Sequence, residues 1–281
     1  MKLSVAVAGI NAIPSAFVVF RGFEESIKKA AEIGYHGIEL ALKTADEINI
    51  DKLAAWLDDS RLEVSCISTG QVFADLGLYF THPDRDIRNR AVEVFTGIIG
   101  LAKDFGKMVN TGRVRGFIGE NQSREQAEGL FIDVMRRICD IAGSMGVEII
   151  LEPVNRYETN FINNLDEGAE LVNKVNRCNV GLMADIFHMN IEDDWIKESL
   201  VRNAAYIRYI HLADSNRLAP GWGHIDFDNV FAGLKKVKYD GWVTIEILPK
   251  PDPDTAALQA ARFILPKLRL YNKAVKESEG L

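Results

Sequence analysis

The sequence predicts an α/β fold, a single closed (β/α)8 barrel spanning residues 1–281, on three observations. Short apolar runs alternate with longer amphipathic stretches; the alternation completes eight rounds; and each apolar run is continuous rather than limited to every second residue. Continuous apolar strands are buried on both faces, as in a parallel sheet covered by helices. Eight strand–helix units favour closure into a barrel over an open doubly wound sheet. The open sheet with a dinucleotide site is the competing architecture, and no GxGxxG follows the first strand.

Taken in chain order, the strands are expected at residues 3–8, 37–41, 63–67, 107–111, 147–151, 180–184, 207–212 and 242–247. Helical patterns fill the intervals at 24–33, 50–59, 87–105, 124–145, 166–175, 195–203, 228–237 and 255–271. Gly34, Gly106, Gly146 and Gly241 stand just before the next strand, where a helix C-cap belongs. The apolar start from Leu3 to Gly9 follows one lysine, as in a signal peptide. It is short for that purpose, Asn11 interrupts it, and it serves equally as a buried first strand.

Composition narrows the function classes. The hydrophobic fraction of 47% and charged fraction of 26% are ordinary for a soluble globular enzyme. A net charge of -7 gives a nucleic-acid partner no electrostatic help, and no run approaches the ~20 apolar residues of a membrane span. Cys66, Cys139 and Cys178 are far apart and odd in number, so reduced thiols packed as small apolar groups in a cytoplasmic protein are expected. A small-molecule substrate suits this balance best.

In a barrel of this class the chemistry gathers at the C-terminal ends of the strands. There the last four strands deliver Glu152, Asp185, His211 and Glu246. Singly, each has a plain explanation: a strand-end carboxylate is usually solvated, and a lone histidine after apolar residues is usually a hydrogen-bonded core group. Their coincidence is what matters. Three carboxylates converging on a barrel mouth would be costly without a cation, and a divalent metal removes that cost. The set of three carboxylates and one imidazole is hard, favouring Mn²⁺, Mg²⁺ or Co²⁺, with Zn²⁺ still allowed.

Around these residues the chain resembles the xylose-isomerase-like barrel superfamily of sugar isomerases and epimerases, in its D-tagatose 3-epimerase-like branch. Three blocks carry the likeness: residues 151–158 (Leu-Glu-Pro-Val-Asn-Arg-Tyr-Glu), residues 185–190 (Asp-Ile-Phe-His-Met-Asn), and residues 211–217 with 220–227 (His-Leu-Ala-Asp-Ser-Asn-Arg and Pro-Gly-Trp-Gly-His-Ile-Asp-Phe). The sequence is also similar to 5-keto-L-gluconate epimerases through Gly70-Gln71, Thr81-His82-Pro83, Val114-Arg115-Gly116 and Tyr157-Glu158-Thr159. The resemblance implies that Glu152, Asp185, His211 and Glu246 hold one divalent metal, Mn²⁺ foremost. It also implies that Glu152 and Glu246 form the acid/base pair, and that Glu158, His188 and Arg217 hold the O1–O3 end of the sugar.

The implied chemistry inverts C3 of a free ketose or keto-sugar acid through a cis-enediolate, one carboxylate removing a proton and the other returning one to the opposite face. Arg217 and His188 would stabilise the developing oxyanion, where a solvated loop arginine and a capping histidine are the plain alternatives. Arg113 and Arg115 follow the fourth strand and are candidates to contact a substrate carboxylate. After the eighth strand, Pro249, Pro251 and Pro253 remove backbone donors and Asp252 and Asp254 repel anions, so a phosphorylated sugar is disfavoured. The competing activities are aldose–ketose isomerisation, of the hydroxypyruvate or inosose isomerase type, and a multi-zinc DNA-repair endonuclease. Five histidines and an acidic chain argue against the nuclease. A homo-oligomer is left open.

Overall fold

The computed structural model describes residues 1–14 and 17–279. Eight parallel strands run β1 Lys2–Ala8, β2 Gly37–Ala41, β3 Glu63–Ser68, β4 Met108–Thr111, β5 Glu148–Leu151, β6 Val180–Asp185, β7 Ile207–Leu212 and β8 Trp242–Ile245. Each pairs with its neighbour in chain order. The circle closes between β8 and β1, where Leu3 lies opposite Val243 and Val5 opposite Ile245. The fold is an α/β TIM barrel, as the alternation predicts. The apolar start of the chain is β1 itself, and the two-residue segment Phe20–Arg21 pairs with its end.

Outside the barrel lie α1 Phe23–Ile33, α2 Ile50–Ser60, α4 Arg85–Ala102, α5 Arg124–Ser144, α6 Leu165–Val175, α8 Ile196–Arg202, α9 Phe227–Lys236 and α10 Pro253–Glu279. Two short helices, α3 Gly70–Leu76 and α7 Ile186–Glu192, were not expected from the periodicity. Both begin within two residues of a strand end, so their first turns read as strand or loop. No helix among the described residues is long and apolar enough to cross a membrane.

Of the four expected glycine caps, Gly34 ends α1 in the left-handed conformation, with its N–H on Ala30 and Ala31. Gly241 has a different role. α9 already ends at Lys236, with Val237 as its C-cap, and a Cβ at Gly241 would stand 2.5 Å from the Tyr239 hydroxyl, which donates to the Trp242 carbonyl. Cys66 and Cys139 are buried as expected, but Cys178 is exposed.

The alternation of side chains along each strand builds the site. Cys66, Ile150, Met183 and Tyr209 form a small buried cluster of their own. Beside it, the Tyr209 hydroxyl lies 2.6 Å from Ser65 Oγ and accepts from Thr244 Oγ1 at 2.5 Å. One step of two residues further along β5 to β8 brings Glu152, Asp185, His211 and Glu246 to the same lattice of inward positions. The site is the next layer of the barrel interior.

Candidate active site

His211 Nδ1 lies 3.7 Å from each of three carboxylate oxygens: Glu152 Oε1, Asp185 Oδ2 and Glu246 Oε2. One donor atom from each of the four residues falls within 4.8 Å of all the others. Asp185 divides its carboxylate between two tasks. Its Oδ1 accepts from the backbone N–H of Phe187 at 2.7 Å and of His188 at 3.2 Å, capping α7. Its Oδ2 is buried and has no hydrogen-bond partner among the described residues, and neither has His211 Nδ1.

Such orphaned, buried atoms are rare in folded proteins, and here they face one another across a shared point. The charge balance points the same way. Burial lifts the Glu246 carboxyl to about 8, reinforced by Glu152 and Asp185 and opposed by His211 and Arg217. Burial also pushes Glu152 and Asp185 up, but the His211 and His188 imidazoles and, for Asp185, Arg217 outweigh it and hold both below their ordinary values. Three carboxylates in one buried cluster thus do not all carry charge with only the side chains present. The donor set fits a divalent cation.

Periodicity gives no sign of the residues behind this cluster. Glu39, fully buried in the middle of β2, places Oε2 2.8 Å from His211 Nε2. Against a carboxylate, Nε2 is the donor, which leaves Nδ1 facing the cluster, its lone pair open to a cation once its own proton is displaced. Burial alone would lower the His211 imidazole, yet Glu39 and Glu246 raise it well above its usual range. From β4, Asn110 donates to Glu152 Oε2 at 3.0 Å. A signal for Glu39 existed: a glutamate centred in a strand whose every neighbour is buried must have a partner.

His188, Glu158 and Arg217 come together on one wall. The Asn155 side-chain N–H₂ lies 2.7 Å from His188 Nδ1, and the Asn155 backbone N–H donates there at 3.3 Å. The same amide donates to Glu158 Oε1 at 3.1 Å while its oxygen accepts from Tyr157 N, so the orientation of Asn155 is determined. Donors meet both ring nitrogens of His188: the two Asn155 N–H groups at Nδ1, and Arg217 Nη1 at 3.2 Å from Nε2, which also lies 3.8 Å from Asp185 Oδ2 and 3.9 Å from Glu152 Oε1. Burial lowers the His188 imidazole despite Asp185.

Arg217 sits in the left-handed region at φ 59°, strained for a non-glycine residue, at the end of a turn whose Asp214 carbonyl accepts its N–H at 2.8 Å. Its guanidinium pairs closely with Glu246 and lies 3.8 Å from Asp185. Phe17 and Phe187 flank it, with ring centres 4.1 and 4.6 Å away.

Glu152, Glu158, His188, Arg217 and Glu246 line a pocket at the C-terminal mouth of the barrel. Arg113 stands on its wall, against the Phe73 ring at 5.1 Å. Arg115, two residues on, does not. It is fully buried, and its guanidinium donates to the carbonyls of Phe161, Gly112 and Glu152 at 3.1, 3.1 and 2.8 Å. Pairing the two arginines as substrate contacts is therefore wrong for Arg115: in the turn over residues 113–115 they point opposite ways.

Residues 27–267 match the family described as the xylose isomerase-like TIM barrel. The chain belongs to this family. Among its relatives, an L-ribulose 3-epimerase of Methylomonas sp. strain DH-1 is 31% identical over 231 residues, covering 80% of this chain and 78% of that protein. A ketose 3-epimerase of Arthrobacter globiformis is 28% identical over 80% of this chain and 77% of its own length. The crystal structure of a Methylomonas D-allulose 3-epimerase in complex with D-allulose superposes with a TM-score of 0.79 at 27% identity, covering 95% of this chain and 98% of that one. The resemblance to the 3-epimerase branch read from the three sequence blocks thus holds.

Proposed function

We propose that this protein is a divalent-metal-dependent sugar epimerase that inverts C3 of a free ketose or keto-sugar acid. One observation carries the proposal. Glu152 and Glu246, on strands separated by two others, bring carboxylate oxygens to a single buried point together with the unpartnered Asp185 Oδ2 and His211 Nδ1. The family membership and the 3-epimerase relatives support the same reaction class.

Glu152, Asp185, His211 and Glu246 would hold the cation, with Mn²⁺ first by the hardness of the donors and Mg²⁺, Co²⁺ or Zn²⁺ as alternatives. When bound, such a cation supplies Lewis acidity that makes the hydrogen beside the carbonyl removable. The residues do the rest. One of Glu152 and Glu246 takes the C3 proton, leaving a planar enediolate, and the other returns a proton to the opposite face. Arg217, with His188 beside its guanidinium, donates where negative charge develops on the enediolate oxygens. Glu158, held by Asn155, orients the hydroxyls at the same end of the sugar. Arg113 would meet a carboxylate at the far end, a role Arg115 is too buried to share.

The deciding experiment incubates the Mn²⁺-loaded protein in D₂O with ketoses, their phosphates and the matching keto-acids. Deuterium at C3 is the expected result, and deuterium at C1 or C2 alone would replace epimerisation with aldose–ketose isomerisation. Comparing wild type with Arg113→Ala on neutral and acidic substrates tests the far end. Equal loss on both would remove Arg113 from carboxylate recognition.

A further inference from the structure

Away from the barrel mouth, a surface groove of about 430 Å³ runs between α4 and α5. Leu130 and Val134 form its apolar floor. Its rim carries Arg85 and Arg88 from α4 and Arg136 and Arg137 from α5, and the one acidic residue among the described lining is Asp133.

None of these four arginines takes part in an ion pair among the described residues. Arg88 donates to the carbonyls of His82 and Pro83 at 2.6 and 2.9 Å, and Arg136 to those of Lys174 and Val175 at 2.8 and 3.2 Å. Arg137 donates to the neutral Asn89 amide at 3.0 Å. These bonds hold the side chains in place and cancel no charge. The Arg85 side chain makes no hydrogen bond within the described residues. Some other arginines are matched to carboxylates, Arg124 with Glu128, Arg177 with Asp140 and Arg202 with Asp166, while Arg90, Arg262 and Arg269 stand singly without an ion pair among the described residues. In a chain of net charge -7, four unmatched cations gathered on one groove stand out. Their mutual repulsion is relieved by a bound anion.

We propose that this groove is an anion site for a soluble multivalent phosphate, separate from the sugar pocket. Guanidinium forks match the oxygens of a phosphoryl group, and side chains already fixed by backbone carbonyls lose little freedom on binding. A single carboxylate would leave most of the positive charge unanswered, since four cations stand against one aspartate.

The test is calorimetric titration of tripolyphosphate into the full chain, dialysed without added metal, at low and moderate salt. Wild type binds it saturably, with affinity falling as salt rises. In the Arg85→Gln/Arg137→Gln double variant the affinity falls about tenfold or more, as expected for loss of two charge-assisted contacts. Sugar turnover in that variant is unchanged. Equal affinity in both proteins, which share the barrel-mouth cluster, would place the anion elsewhere and overturn the proposal. So would the absence of saturable binding at low salt. Sedimentation showing that the same arginines instead hold two copies of the chain together would also overturn it, replacing the phosphate by a protein contact.

Discussion

Exchanging Glu39 for glutamine leaves the shape of the barrel interior nearly untouched and removes one charge. In the native protein the Glu39 carboxylate accepts from His211 Nε2 at 2.8 Å, fully shielded from solvent. A hydrogen bond to a charged group is worth about 1.5–3 kcal/mol. At about 1.4 kcal/mol per tenfold change, that is a 10- to 100-fold effect on whatever His211 Nδ1 binds. A glutamine could also turn its amide toward Nε2 and donate, driving the imidazole proton to Nδ1 and closing the lone pair. Glu39→Gln should therefore weaken Mn²⁺ binding by about 10- to 100-fold, as expected when the outer partner of a metal-bound histidine is lost. Dialysed protein titrated with Mn²⁺, with free ion followed by electron paramagnetic resonance, measures this directly. At saturating Mn²⁺ much of the turnover should return, because Glu39 does not line the sugar pocket. An unchanged dissociation constant would refute the assignment of Glu39 as the partner that orients His211.

Glu152→Gln and Glu246→Gln should each lower kcat by at least about 10³-fold, while one of them still exchanges the C3 proton of a single epimer with D₂O; near-normal turnover in both would end the two-base mechanism. Arg217→Ala should cost about 10²-fold in kcat/KM, and an effect below about threefold would place it outside the chemistry. Asp193 gives a pH dependence of stability. Burial lifts its carboxyl from 3.8 to about 6, and its Oδ2 has no partner, although Ser199 Oγ donates to Oδ1 at 2.5 Å. A raised acid stabilises the fold while protonated, below its unfolded value, and that stability is lost as pH rises through 6. Asp193→Asn should thus match wild type near pH 4 and exceed it by about 2–3 kcal/mol near pH 8, from about 1.4 kcal/mol per unit. Melting temperatures at the two pH values check this, and a gap independent of pH would contradict it.

The four clustered residues were legible in the sequence because each stands at the end of an apolar strand, where the fold class alone fixes the face it reaches. Glu39 was hidden for the opposite reason: it lies mid-strand, where burial is expected and a partner on β7 is a matter of three-dimensional register. Asn110 and Asn155 carry no charge to draw notice, and their roles depend on which amide atom meets which neighbour. Arg113 and Arg115 look interchangeable as text, yet a tight turn sends one to the pocket wall and the other beneath Glu152. α7 escaped notice because Asp185 both ends a strand and begins a helix, so the change of period falls within a single residue.

That double duty limits how position 185 can vary. Asparagine would keep an oxygen for the N–H groups of Phe187 and His188 but bring no charge to the cluster; glutamate would bring the charge but reach past the cap. Because α7 carries His188, a faulty cap there also displaces the group that we propose addresses the sugar. In a saturation library screened for activity, position 185 should return aspartate almost alone, whereas Glu158, held by the Asn155 amide and 3.9 Å from Arg217 but capping no helix, leaves more room for a replacement that alters which sugar is taken.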